Sequence, residues 1–411
     1  MISSKDREIL RELAKQVAEI SADEINNERR QRGRDINSLR PCRPIVWIDE
    51  IPWHEMDIDG ELICRCEDEE AATMEAKFRH VLYRWKHMQA DMVVDDAYYI
   101  EKAFDHSGCG ISVEEDILTV DSENHIVSHR YKDRLETAEQ VAELRLPVVT
   151  ARPETDKLRM EFASEVLDGI LPVRLRGHGT YHAPWDFIPR LRGVEPILMD
   201  LIDRPDHIHA IRSRFKEIGE SELTQMEEQG LLDFNIADIH CTPPYADGLP
   251  AADHDGKTRL KDCWFRAMAQ MFSSVSPAMF KEFELDYVRP LMDKSGLVYY
   301  GCCEPLDTKL SLLMEIPNMR KIGVSPWSDQ QIMAERMGGN YVFSRKPNPA
   351  FVTGVFDADA VRRETEETLE LCLQYNCPCE FTLKDISTVS YKPQNLIAWA
   401  KTVTDTVARY Y

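Results

Sequence analysis

Apolar positions along the chain follow two rhythms. A 3.6-residue spacing marks amphipathic helices, and short apolar runs bounded by proline, glycine or acidic residues mark buried strands. Ile9, Leu13, Val17 and Ile20 share one face of residues 4–28, which predicts a helix with its charges outward. Ile45-Val-Trp-Ile48 follows Pro41 and Pro44 and reads as a first buried strand, delivering Asp49, Glu50 and Trp53 at its end. Phe78, Leu82 and Trp85 predict a helix over 67–90, and Met92-Val-Val94 a strand leading to Asp95, Asp96 and Tyr98. Residues 109–132 break the rhythm. Ile111, Ile117, Val120 and Ile126 sit in short pieces around Asp-Ser-Glu-Asn, the pattern of a small β-hairpin inserted in a larger fold.

Regular alternation then returns. A helix over 153–168 precedes a strand over 171–175, whose exit is Gly177-His-Gly-Thr-Tyr-His-Ala-Pro-Trp185. A helix over 205–229 leads to a strand within 231–239 and the loop His240-Cys-Thr-Pro-Pro-Tyr245, then to a helical region over 257–294. Strands are expected at 297–300, 321–324, 341–343 and 379–383, each followed by a helix, the last over 393–409. About eight strands alternating with helices imply a parallel sheet and match a (β/α)8 TIM-type barrel. An open doubly wound sheet would carry a Gly-rich loop after its first strand, and none is present. The expected organisation is an N-terminal helical extension over 1–42 and a barrel over 43–411, with the insertion around 109–132.

Composition narrows the function. With 411 residues and 43% hydrophobic content the chain can bury a large core. No run of about 18 apolar residues marks a membrane span. The charged start, Met1-Ile-Ser-Ser-Lys-Asp-Arg7, lacks an apolar signal core, and eleven cysteines form no disulfide-like spacing, so a cytoplasmic protein is expected. A net charge of −22 argues against a nucleic-acid groove. The basic run Arg29-Arg-Gln-Arg-Gly-Arg34 reads as a solvated loop or a homodimer contact.

Chemistry gathers at the predicted strand ends. Zinc favours thiolate, imidazole and carboxylate ligands, and His240, Cys302, Cys303 and Glu304 form a candidate set. Successive residues of a strand face opposite sides, so one of the two adjacent thiols is expected to look inward. Glu50 and Asp385 are candidate acids, with helix capping as their structural alternative. His178, Tyr181 and His182 are expected to line a pocket, walled by Trp53, Trp185 and Trp327 and joined by Arg345. Cys372, Cys377 and Cys379 are read as packing thiols.

The order of several segments resembles the uroporphyrinogen decarboxylase superfamily over nearly the whole chain. Arg43-Pro-Ile-Val-Trp47 is similar to its opening strand, Leu171 to Gly193 to its third strand and glycine-rich exit, and Ile322-Gly-Val-Ser-Pro-Trp327 to its sixth strand. Glu380 to Trp399, with Lys392-Pro-Gln-Asn-Leu396, is similar to its last strand and helix. True decarboxylases of the family follow the opening strand with arginines that hold substrate carboxylates. Here Ile48-Asp-Glu-Ile-Pro-Trp53 puts acids there instead, and Asp385-Ile-Ser387 replaces a His-Gly. The resemblance to the cobamide-dependent methyltransferase branch implies a zinc held by His-x-Cys after the fifth strand and Cys after the eighth. This chain keeps only Cys302 and Cys303 near the first position. The implied activity is transfer of a methyl group from a small methylated compound, such as a methoxylated aromatic, to the cobalt of a corrinoid on a separate protein. A decarboxylase or lyase of a small acid, using Arg174, Arg176, Arg345 and Lys346, is the alternative. A barrel that only binds a ligand or partner is the third reading.

Overall fold

The structure is a computed structural model that describes residues 2–88, 90–119 and 127–411. Thirteen strands are present among these residues: β1 (Ile45–Ile48), β2 (Tyr98–Glu101), β3 (Phe104–His106), β4 (Glu115–Leu118), β5 (Ser128–Tyr131), β6 (Val149–Ala151), β7 (Val173–Arg176), β8 (Thr180–Tyr181), β9 (Trp264–Ala267), β10 (Leu297–Tyr300), β11 (Met319–Val324), β12 (Val342–Arg345) and β13 (Cys379–Leu383). Seven form one sheet in the order β1-β13-β12-β11-β10-β9-β8. Every pairing in it is parallel. The sheet curls into a half-barrel backed by helices, consistent with a TIM-like barrel. β2 pairs in parallel with β7, and β7 runs on through Gly177 to β8, so this pair extends the same wall.

The expected strand at Met92–Val94 is absent, and the reason is visible in its hydrogen bonds. Arg29 donates to the carbonyl of Met92 at 2.8 Å and Arg30 to that of Val94 at 2.9 Å. The Val94 N–H donates to the Asn26 side chain at 2.8 Å. Side chains of the helix Ile25–Asn37 thus satisfy backbone groups that a neighbouring strand would otherwise pair. A ladder-like bond with β1 is kept, from the Asp91 N–H to the Val46 carbonyl at 2.7 Å. The Asp91 carboxylate accepts from Arg32 at 2.6 Å, Arg43 at 3.1 Å and the Val46 N–H at 2.9 Å. The basic run is therefore spent inside the chain rather than on a solvated loop.

Two further expectations are corrected. Residues 4–28 break into helices Ser4–Ser21 and Ile25–Asn37. The Asn26 amide donates to the carbonyls of Ile20 and Asp23 at 2.8 and 3.1 Å, capping the first helix where the second begins. Residues 231–239 contribute one bridge, Leu232 to His178, while the barrel strand is β9, inside the region expected to be helical. The hairpin expectation matches β4 and β5, which pair antiparallel with Glu115 opposite Tyr131. Its tip, with Val120 and Ile126, lies outside the described residues.

The two faces of the sheet differ in chemistry. Val46, Phe265, Val298, Phe343 and Phe381 point outward into one apolar core shared with Trp399 of the helix Pro393–Tyr410. The inward positions begin apolar. Ile45, Trp47 and Val342 pack on Ile36, while Trp264, Leu297 and Tyr299 pack on Ile239. Level with these in the ladder, the same face carries an ion pair, with Lys321 opposite Val342 and Glu380 opposite Ile45. Lys321 donates to Glu380 at 2.8 Å and to the Thr242 hydroxyl at 2.8 Å, and Ser344 donates to Glu380 at 2.6 Å. Both charges are buried, so breaking the pair strands one of them in low dielectric. Lys321→Met is expected to cost about 3–5 kcal/mol in urea unfolding. The double variant with Glu380→Gln should recover much of that loss; no recovery would mean the pair is not the reason for the cost.

Candidate active site

β10 ends at Gly301, whose φ of 103° suits glycine. A Cβ there would come within 2.4 Å of Leu306. This turn presents Cys302 and Cys303. The exit of β1 supplies Glu50, that of β13 supplies Lys384 and Asp385, and the 236–249 loop supplies His240 and Cys241. Glu50, His240, Cys241 and Asp385 all have positive φ, at 49°, 44°, 69° and 56°. They are four of nine such non-glycine residues among those described. Backbone in this region is held only when the surroundings over-determine it, and such positions gather at functional sites.

The side chains converge. The Cys302 and Cys303 sulfurs lie 3.6 Å apart, and the His240 Nε2 is 3.9 Å from the Cys302 sulfur. The Cys303 thiol donates to Asp385 at 2.7 Å, and the Asp385 N–H donates to Glu50 at 2.7 Å. Lys384 lies 3.0 Å from Asp385 and 3.6 Å from Glu50. Donor atoms of Cys302, Cys303 and Asp385 fall within 4.8 Å of one another, as do those of Glu50, His240 and Cys241. A zinc tetrahedron with ordinary bond lengths has sulfur–sulfur edges of about 3.8 Å and sulfur–nitrogen edges of about 3.6 Å. The Cys302–Cys303 and His240–Cys302 edges lie near those values, and the threefold set that closes around the thiols is Cys302, Cys303 and Asp385.

The charges within the cluster are coupled. The neighbouring Cys303 sulfur holds the Cys302 thiol well below its ordinary range; His240, Arg266 and Lys384 act in the same direction. The same pairing pushes Cys303 up. Burial alone would discharge Lys384, but Cys302, Asp385 and Glu50 outweigh it and keep the ammonium charged.

Several expected site residues do structural work instead. Glu304 is buried, and its carboxyl oxygens accept from the N–H groups of Ala269 at 3.1 Å and Cys302 at 2.9 Å. It fixes the turn that holds Cys302 and is not a ligand; Asp385 stands beside the thiols instead. His178 donates to the Lys102 carbonyl at 2.7 Å. The His182 ring packs on Gly219, where a Cβ would meet it at 2.4 Å, and burial lowers its pKa to about 3. Trp185 is a core residue, tilted on Phe272 at 4.5 Å. Arg345 turns to the helix Ala358–Gln374, pairing with Glu364 and donating to the Ser325 carbonyl at 2.6 Å. Trp53 stacks on His80 at 3.8 Å, away from the thiols' own contacts. Tyr181 lies beside His240, with ring centres 5.9 Å apart, and Trp327 is exposed just past β11. Cys372, Cys377 and Cys379 are buried in the outer core, as packing thiols should be.

The sequence matches no family model and no curated protein. The shape does find a relative. A methyltransferase from Methanosarcina mazei superposes with a TM-score of 0.50 at 11% identity, covering 93% of this chain and 99% of that one. The two chains share a fold over nearly their whole lengths. No helix among the described residues is long and apolar enough to cross a membrane.

Glu304 gives the site a pH signature. Burial, then the nearby Cys302, raise it from 4.5 to about 7, against the pull of its backbone donors. The unfolded chain ionises near 4.5 and the folded one near 7, so the stability contributed by the neutral carboxyl is complete below about 4.5 and lost as pH rises to about 7. Urea midpoints measured across this window should fall with pH. Glu304→Gln should flatten part of that slope, and an unchanged slope would remove Glu304 as its source.

Proposed function

We propose that the protein transfers a methyl group from a small methylated compound, such as a methoxylated aromatic, to the cobalt(I) of a corrinoid carried by a separate protein. The observation that carries this reading is the convergence of His240, Cys302, Cys303 and Asp385 at the strand exits of a fold shared with a methyltransferase. Active sites of (β/α)8 enzymes occupy that end. Cys302, Cys303 and Asp385 would hold zinc, with His240 or substrate completing the set. Zinc in that place would act as a Lewis acid on the departing oxygen.

The chain's own groups have defined parts. A thiol must lose its proton to ligate, and Asp385 already accepts from Cys303. Glu50 receives the Asp385 N–H and so fixes the exit of β13. This makes Glu50 a positioning residue rather than the acid. Lys384 brings a fixed positive charge to the side of the thiols. Tyr181, hydrogen-bonded to Asp186 at 3.1 Å, forms an aromatic rim next to His240.

The corrinoid would arrive on another protein, since the chain has no Asp-x-His-x-x-Gly segment of the corrinoid-binding kind. A net charge of −22 suits a partner with a basic rim, and salt would screen the encounter. The decarboxylase alternative is weakened because Arg174 pairs with Asp96, Arg176 with Asp95 and Arg345 with Glu364. Three of its four expected cations are already taken.

Protein purified without chelator should contain about one zinc per chain by elemental analysis. Cys302→Ser, Cys303→Ser and His240→Ala should each lower the content while leaving the melting temperature within a few degrees. Mixed with corrinoid proteins under strictly reducing conditions and with methoxy compounds present, it should convert cobalt(I) to methyl-cobalt by absorbance. Substrate consumption without methylation of any carrier would defeat the assignment, and carbon dioxide release would favour the decarboxylase.

A further inference from the structure

The inward face of the sheet buries more cations than it pairs. Arg266, Lys321, Lys346 and Lys384 are 2%, 0%, 2% and 3% exposed. Lys321 has Glu380, and Lys384 has Asp385 and Glu50. Arg266 and Lys346 have no carboxylate within ion-pair distance among the described residues. Arg266 donates to the carbonyl of its neighbour Ala267 at 2.6 Å and reaches the Met268 sulfur at 3.8 Å, and its Nε is buried without a partner. Lys346 donates to the Ser344 hydroxyl at 2.9 Å.

These two cations share a surface. The Arg266 guanidinium lies 4.2 Å from the Tyr299 ring centre, and the Lys346 ammonium 5.3 Å from the same ring. Met268, which Arg266 touches, packs with Cys302 and Cys303. Arg266 is therefore one side chain away from the thiols. A buried cation without a counter-charge is retained at a high cost in stability. A fork of N–H donors beside an ammonium is the arrangement that recognises a planar anion.

We infer that Arg266 and Lys346 receive the carboxylate of a small-molecule substrate, seated against Tyr299 on the thiol side of the inward face. This rests on reading the site as one that takes a small methyl donor, and it specifies that donor as an anion. The donor would enter with its carboxylate toward β9 and β12 and its methyl group toward the strand exits. Glu380 lies in the same layer, bonded to Lys321 and Ser344, and acts on Lys346 from beyond ion-pair distance.

Calorimetry on the full-length protein, with no corrinoid protein present, separates this inference from the methyl-transfer reading. Benzoate is expected to bind at least about tenfold more tightly than its neutral isostere benzamide. Lys346→Gln should weaken benzoate by about tenfold and leave benzamide unchanged. Arg266 is too central for its replacement to be informative alone, so bromide soaked into crystals serves as a second probe. An anomalous peak between Arg266 and Lys346 is expected. Benzoate that binds no more tightly than benzamide, or a bromide map empty at that pair, overturns the assignment. A protein that selects benzoate yet methylates no carrier keeps this inference and loses the other, and methylation from a neutral donor without benzoate selectivity does the reverse.

Discussion

The ion pair between Lys321 and Glu380 is the contact on which the inner architecture turns. It spans β12 to join β11 to β13, and Ser344 of β12 closes it by donating to the same carboxylate. Lys321 has a further bond, to the Thr242 hydroxyl. Thr242 directly follows His240 and Cys241, so the pair that ties three strands together also holds the loop carrying an imidazole and a thiol. Burial works against this lysine's charge and pulls it to about 8, with Glu380 opposing. An apolar pair of similar volume could fill the space, but it would give the loop nothing to bond to.

Around that centre the site is assembled from exits rather than from one motif. Each contributing exit includes a backbone turn that ordinary side chains avoid, as at Glu50, Cys241 and Asp385. The strain is offset by specific bonds. Glu50 accepts the Asp385 N–H, Asp238 accepts the Cys241 N–H at 3.1 Å, and Glu304 accepts the Cys302 N–H. Acids that looked catalytic by position thus divide into two kinds. Asp385 faces the thiols, whereas Glu304 and Glu50 hold backbone that faces them.

Periodicity made the outer half of the fold readable. β1, β10 and β13 fall where apolar runs place them, because each strand has an outward residue buried under a helix. The inner half resisted for the opposite reason. β9 reads Trp-Phe-Arg-Ala, and its arginine breaks the apolar signature although the residue is buried against Tyr299. Likewise Met92–Val94 looks like a strand, but its backbone is satisfied by arginines from a helix some sixty residues earlier, which no local pattern reveals. At the site, the paired thiols were legible as metal-binding types and Asp385 as an acid at a strand end, but not as a neighbour of the thiols. His178, His182, Trp185 and Arg345 were not distinguishable from pocket residues, since a histidine or tryptophan facing the core has the same neighbours in sequence as one facing a ligand. A buried arginine or lysine inside an otherwise apolar strand was the available signal for Arg266 and Lys346.

The pairing of β1 with β13 has a consequence for how the chain comes to exist. The first barrel strand has its ladder partner at the far end of the sequence, with Glu50 and Asp385 separated by 335 positions. During synthesis β1 has to wait, edge exposed, until β13 has left the ribosome. The arginines of the preceding helix reach only the 91–95 side of that strand in the meantime. Contacts this remote slow folding, and the hydrogen bond from Asp385 to Glu50 cannot form before the two ends of the wall meet. The assembly of the thiol site and the pairing of β1 with β13 are thus one event, so a partly made chain carries thiols but no assembled site.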